Sequence, residues 1–167
     1  MNGSFNFFFH IVGVGLVFVV VVGGWLIHRK IVKEKDPHLK LYVSQSGRIV
    51  GILSPFVAIL LLLTGIGNIY NRDLGTELHW YSEGWLVAKI IFFAVFVVNG
   101  AVFGAILSRK RTGLLKDIDA QAAPPEAEAM LGNYNRQFMW HYLVQFLLLT
   151  IILLLSTFGS GKHPGVF

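Results

Sequence analysis

Long apolar runs alternate with short polar stretches along this chain. Four runs, at about 5–28, 49–70, 84–107 and 138–158, each exceed the ~18 residues that cross a bilayer as a helix. Leu16–Val22 and Ile59–Leu63 are continuously apolar, whereas a membrane β-strand alternates apolar and polar side chains over ~10 residues. The pattern predicts an all-α integral membrane four-helix bundle, one domain over residues 1–167. The polar segments at about 29–48 and 108–137 read as loops, and the longer of them is too short and too polar to bury a core. The first run follows MNGSFNFFFH, which carries no positive n-region, and no small-residue cleavage site follows it. It is expected as a retained helix rather than a signal peptide.

Interruptions within the runs refine this reading. Ser54–Pro55 removes a backbone hydrogen bond inside helix 2 and predicts a kink there. Gly100 and Gly104 in helix 3 form a small-xxx-small face that admits a neighbouring helix, from the same chain or a second copy. In the third polar segment Pro124–Pro125 stops a helix, and the Ala/Glu stretch after it starts a surface helix or belongs to a mobile linker.

Charge sets the orientation. The first polar segment holds Arg29, Lys30, Lys33, Lys35, Lys40 and Arg48, and the third holds Arg109, Lys110, Arg111, Lys116 and Arg136. The second has only Arg72 and the C-terminal tail only Lys162. The positive-inside rule then predicts cytoplasmic loops at about 29–48 and 108–137, with both termini extracytoplasmic in a plasma membrane. The net charge of +5 follows from those two segments. It fits attraction to anionic lipid headgroups and argues against nucleic-acid binding. Trp25, Trp80, Trp85 and Trp140 fall near helix ends, as an interfacial belt does.

Chemistry enters through the polar residues inside the runs. His10 and Lys89 each lie about five residues into their helices from the outer side, roughly 7–8 Å deep. They can face each other across the bundle and cradle or ligate one cofactor; the alternatives are a snorkelling Lys89 and a hydrogen-bonded interfacial His10. His28 ends helix 1 and His141 lies about one turn into helix 4. His10 and His28 are five helical turns apart and share one stripe with Val14, Val17, Val21 and Gly24. Two histidines on one stripe, each matched at its own depth, suit axial ligation of two haem b groups. The alternative is a solvated His28 beside Arg29–Lys30. Gln145, one turn from His141, is placed to hydrogen-bond it, and Asn99 needs a buried partner.

Absences narrow the classes. No Asp or Glu lies within a span, which argues against a carboxylate proton relay. There is no Cys, and Met occurs only at Met1, Met130 and Met139, so a soft-ligand Cu(I) path is hard to build. Hydrolase, zinc-protease and phosphate-loop motifs are missing.

Three phrases carry a family resemblance. They are Phe9-His10-Ile11-Val12-Gly13-Val14, then Leu53-Ser54-Pro55 with Leu63-Thr64-Gly65, then Gly84-Trp85-Leu86-Val87-Ala88-Lys89. Over most of helices 1–3 the chain resembles the small four-helix bacterial membrane proteins related to HemJ and to the membrane domain of the copper-resistance protein CopD. HemJ-like proteins are protoporphyrinogen oxidases that bind haem b through a helix-1 His and a helix-3 Lys. The resemblance thus implies His10, at the haem iron, and Lys89. Gly23-Gly24-Trp25-Leu26-Ile27-His28-Arg29 and Asn99–Gly100 stand where the HemJ pattern has a Pro-Arg segment and an aromatic-His pair, which implies a related member rather than HemJ itself. The function expected is a haem- or porphyrin-binding membrane redox protein, passing electrons to a membrane acceptor such as a quinone. A non-catalytic accessory subunit of a larger membrane complex, or a homo-oligomer, is the alternative; a copper import module is a third.

Overall fold

A computed structural model describes residues 3–73, 81 and 83–158. Trp80, His79, Lys162 and His163 lie outside the described residues. Among the described residues the long elements are all helices: α1 (Gly3–Lys33), α2 (Pro37–Ser46), α3 (Arg48–Asp73), α4 (Gly84–Val98), a π-helical segment (Asn99–Gly104), α5 (Ala105–Asp119) and α6 (Ala127–Phe158). Four helical stretches, Ser4–Lys33, Pro37–Tyr70, Gly84–Asp119 and Ala127–Phe158, are long and apolar enough to cross a membrane. Pro55 stands inside α3 without ending it.

Helix α1 packs chiefly on α3, and α4 on α6, with α6 also reaching α1. On α1 the buried stripe runs Asn6, Gly13, Val17, Val21, Gly24, His28 and Ile31, the three- and four-residue spacing of one helix face. Gly13 lets α1 approach α3: a Cβ there would lie 2.8 Å from Leu61 Cδ2. Val17, Val21, Val57, Leu61 and Leu149 form the mid-bundle core. The outward faces carry residues such as Phe8, Val19, Leu63 and Leu147, each about 60% exposed, as lipid contact requires.

The two basic segments are not loops. Helix α1 continues to Lys33, α2 and α5 fill most of the rest, and the Ala/Glu stretch after Pro124–Pro125 opens α6 itself. Asp36 caps α2 by accepting from the His38 backbone N–H, with Pro37 in the first turn. A 36-residue helix is ~54 Å long, more than the ~30 Å that a hydrocarbon layer measures. The charged ends of these helices bury a second core of Ile31, Leu114, Leu115, Ala127 and Leu131, in which Leu115 is 0% exposed. Ser44 and Thr112 hydroxyls join α2 to α5 at 2.7 Å, and His38 meets Asp119 at 3.3 Å. The expectation that these segments bury no core is therefore wrong. Apolar residues scattered among the charges gather onto one side once the segments are helical.

Candidate functional site

Two polar centres sit at opposite ends of the bundle. The first joins α1 to α3 near the amino-terminal end. Asn6, 4% exposed, donates to the Thr64 carbonyl at 2.9 Å and to Asn68 Oδ1. His10 Nδ1 lies 2.9 Å from Thr64 Oγ1, and that hydroxyl donates to the Leu60 carbonyl at 2.7 Å. A hydroxyl has one hydrogen to give. With the hydroxyl hydrogen on Leu60, Thr64 Oγ1 accepts from His10 Nδ1–H, and in that tautomer Nε2 keeps its lone pair. A protein carbonyl or hydroxyl holding the far nitrogen is the usual way a ligating imidazole is oriented.

Lys89 stands in the second turn of α4, whose N-terminal residue is Gly84. Gly65 faces the His10 ring with no side chain, the nearest ring atom lying 3.9 Å from where a Cβ would stand. Among the described residues this end of the bundle therefore offers an imidazole nitrogen without a protein partner beside a glycine face. Asn6 went unnoticed in the sequence, as did the role of Thr64. The signal for Asn6 was its seven-residue spacing from Gly13 on the buried stripe.

The second centre lies where bundle and cap meet. His28 is 4% exposed, not solvated, and His28 Nδ1 accepts from Arg111 Nη1 at 3.0 Å. Its ring stacks on Phe138 with centroids 5.6 Å apart and lies 5.8 Å from Tyr142. Arg111, also 4% exposed, places its guanidinium carbon 3.9 Å over the Phe138 ring. Trp25 completes the aromatic cluster, 6.1 Å from both His28 and Tyr142, and stands inside α1 rather than at its end, which lies at Lys33. A Cβ on Gly24 would lie 2.7 Å from the Tyr142 hydroxyl.

His141 adjoins this cluster, its ring 5.1 Å from Tyr142. His28 and His141 lie against the same Phe138 and Tyr142 rings, and His28 Nδ1 is already taken by Arg111. Gly100 and Gly104 turn toward α6 within the same chain, and Cβ atoms there would meet Gln145 Nε2 at 2.6 Å and His141 Cε1 at 3.1 Å. The π-helical segment widens the backbone at that contact, as such segments often do at functional positions. Gln145 does not bond His141. Its amide donates to the Phe96 carbonyl at 3.4 Å, and His141 Nδ1, Gln145 Oε1, Asn99 Nδ2 and Arg111 Nε are buried without a partner.

The energetics of Arg111 are out of balance. A desolvated cation over an aromatic face gains ~2 kcal/mol, and a hydrogen bond from a charged donor ~1.5–3 kcal/mol. Removing an ion from water costs several kcal/mol even after relaxation. No carboxylate pairs with Arg111 among the described residues, where the one ion pair is His38–Asp119. Arg111 was missed in the sequence because it stands in Arg109-Lys110-Arg111, where each cation reads as a marker of membrane side.

No family model, curated protein or solved structure matches this chain.

Proposed function

We propose that the protein is an integral membrane haem- or porphyrin-binding redox protein of HemJ/CopD-like type, multi-pass in a bacterial plasma membrane with both termini outside. One observation carries this reading: the Leu60–Thr64–His10 relay that presents a bare Nε2. His10 would hold the haem iron, and Lys89 would serve as a second ligand or as the partner of a propionate. Bound haem b would supply one-electron chemistry between its ferric and ferrous states. The chain's own part is to hold His10 at a fixed tautomer and angle, to counter negative charge with Lys89, and to keep water from the mid-bundle core below.

The test is haem content after expression with excess haem precursor. About one haem b per chain is expected for wild type, with loss in His10→Ala and retention in His28→Ala. A colourless wild-type protein would leave the accessory-subunit reading in its place.

A further inference from the structure

We infer that Arg111 and His28 form an acid-released latch between α5 and α1. The geometry of one contact carries this, independently of haem. Arg111 Nη1 lies 3.0 Å from His28 Nδ1, and both residues are 4% exposed. A guanidinium stays charged and can only donate. His28 Nδ1 must therefore accept, which fixes the imidazole as its neutral Nε2–H form. A proton arriving at Nδ1 occupies the lone pair that holds the guanidinium. The bond is then lost, and two cations stand in contact where burial strengthens their repulsion.

No anion stands ready to absorb that charge. The titratable groups whose charge reaches His28 are Arg111 from α5 and His141 from α6; α2 and α3 bring none to it among the described residues. The Tyr142 phenol, its ring 5.8 Å away on α6, is uncharged at neutral and acid pH. On α1 itself the adjoining Arg29 is drawn over Trp25, 5.7 Å from that ring. Elsewhere α5 is held by contacts of another kind: the Ser44–Thr112 hydroxyls and the apolar cluster of Ile31, Leu114 and Leu115. Neither takes a proton in this range. Arg111–His28 is the one hydrogen bond between α5 and α1 among the described residues, so acid acts on that joint and leaves the others in place.

The experiment follows thermal unfolding of the full-length protein in detergent from about pH 7.5 to pH 5, the range in which an imidazole titrates. The reference variant is His28→Asn, whose amide oxygen can accept from Arg111 and takes no proton. The other histidines remain in both proteins, so their titration cancels in the difference. Wild type should lose about 3 °C or more of Tm relative to His28→Asn across this range. Arg111→Gln, which keeps an N–H donor without the charge, should lose less than wild type. Movement is read separately from spin labels on Val32→Cys and Lys110→Cys, two exposed positions on α1 and α5 in a chain with no native cysteine. Their distance distribution should lengthen or broaden at pH 5 and return at pH 7.5. If His28→Asn fails to fold, the label distance in the otherwise wild-type chain decides. An equal loss of Tm in wild type and His28→Asn, or a label distance unchanged at pH 5, overturns the inference.

Discussion

At the scale of single residues, the polar groups of this bundle are either held by a complete chain of partners or left with donors to spare. Asn6 belongs to the first kind. Asn6→Leu removes its bonds to Thr64 and Asn68; interhelical bonds in membranes contribute ~0.6–1.7 kcal/mol each, so a loss of about 1–2 kcal/mol is expected in detergent-unfolding titrations. Glycines give a sharper contrast. Gly24→Ala drives a Cβ to 2.7 Å from the Tyr142 hydroxyl, and the ring must shift at a cost of ~1–3 kcal/mol. Gly15→Ala meets nothing within 4 Å and should be neutral or slightly stabilising in the same titration. His10, Lys89, His28 and His141 were legible in the sequence because each is conspicuous within an apolar run. Thr64 was not, since an isolated Thr in a membrane helix usually bonds its own backbone, and here it does that and receives His10 as well.

At the scale of elements, the cap is where structure departs most from the sequence pattern. The runs at 29–48 and 108–137 look like loops because charges break their apolar periodicity. Helix formation gathers Ile31, Leu114 and Leu115 into one buried cluster among the charges, and their burial draws on the hydrophobic effect. Leu115→Ala should therefore cost ~2–5 kcal/mol, read as a lowered midpoint in denaturant. A Ser44→Cys/Thr112→Cys pair, in a chain with no native cysteine, should crosslink readily under mild oxidation. The hydroxyls it replaces are 2.7 Å apart, close enough for a disulfide after a small side-chain turn. Failure to crosslink would mean that α2 does not dock on α5. The four long helices, by contrast, were legible from apolar length alone, because lipid-facing and buried positions are both apolar and no periodicity needs to be detected.

At the scale of the whole molecule, the bundle separates a histidine with a free nitrogen at one end from a buried guanidinium at the other, with the Val17–Leu149 core between them. In the proposed function the His10 end would hold the haem iron. The most direct test of its central claim is the optical spectrum of the detergent-purified protein, first air-oxidised and then reduced with dithionite. A Soret band that sharpens on reduction, with one set of b-type α and β bands that vanishes in His10→Ala and survives in His28→Ala, is the predicted result. A wild-type protein without a Soret band, even after expression with excess haem precursor, would contradict it.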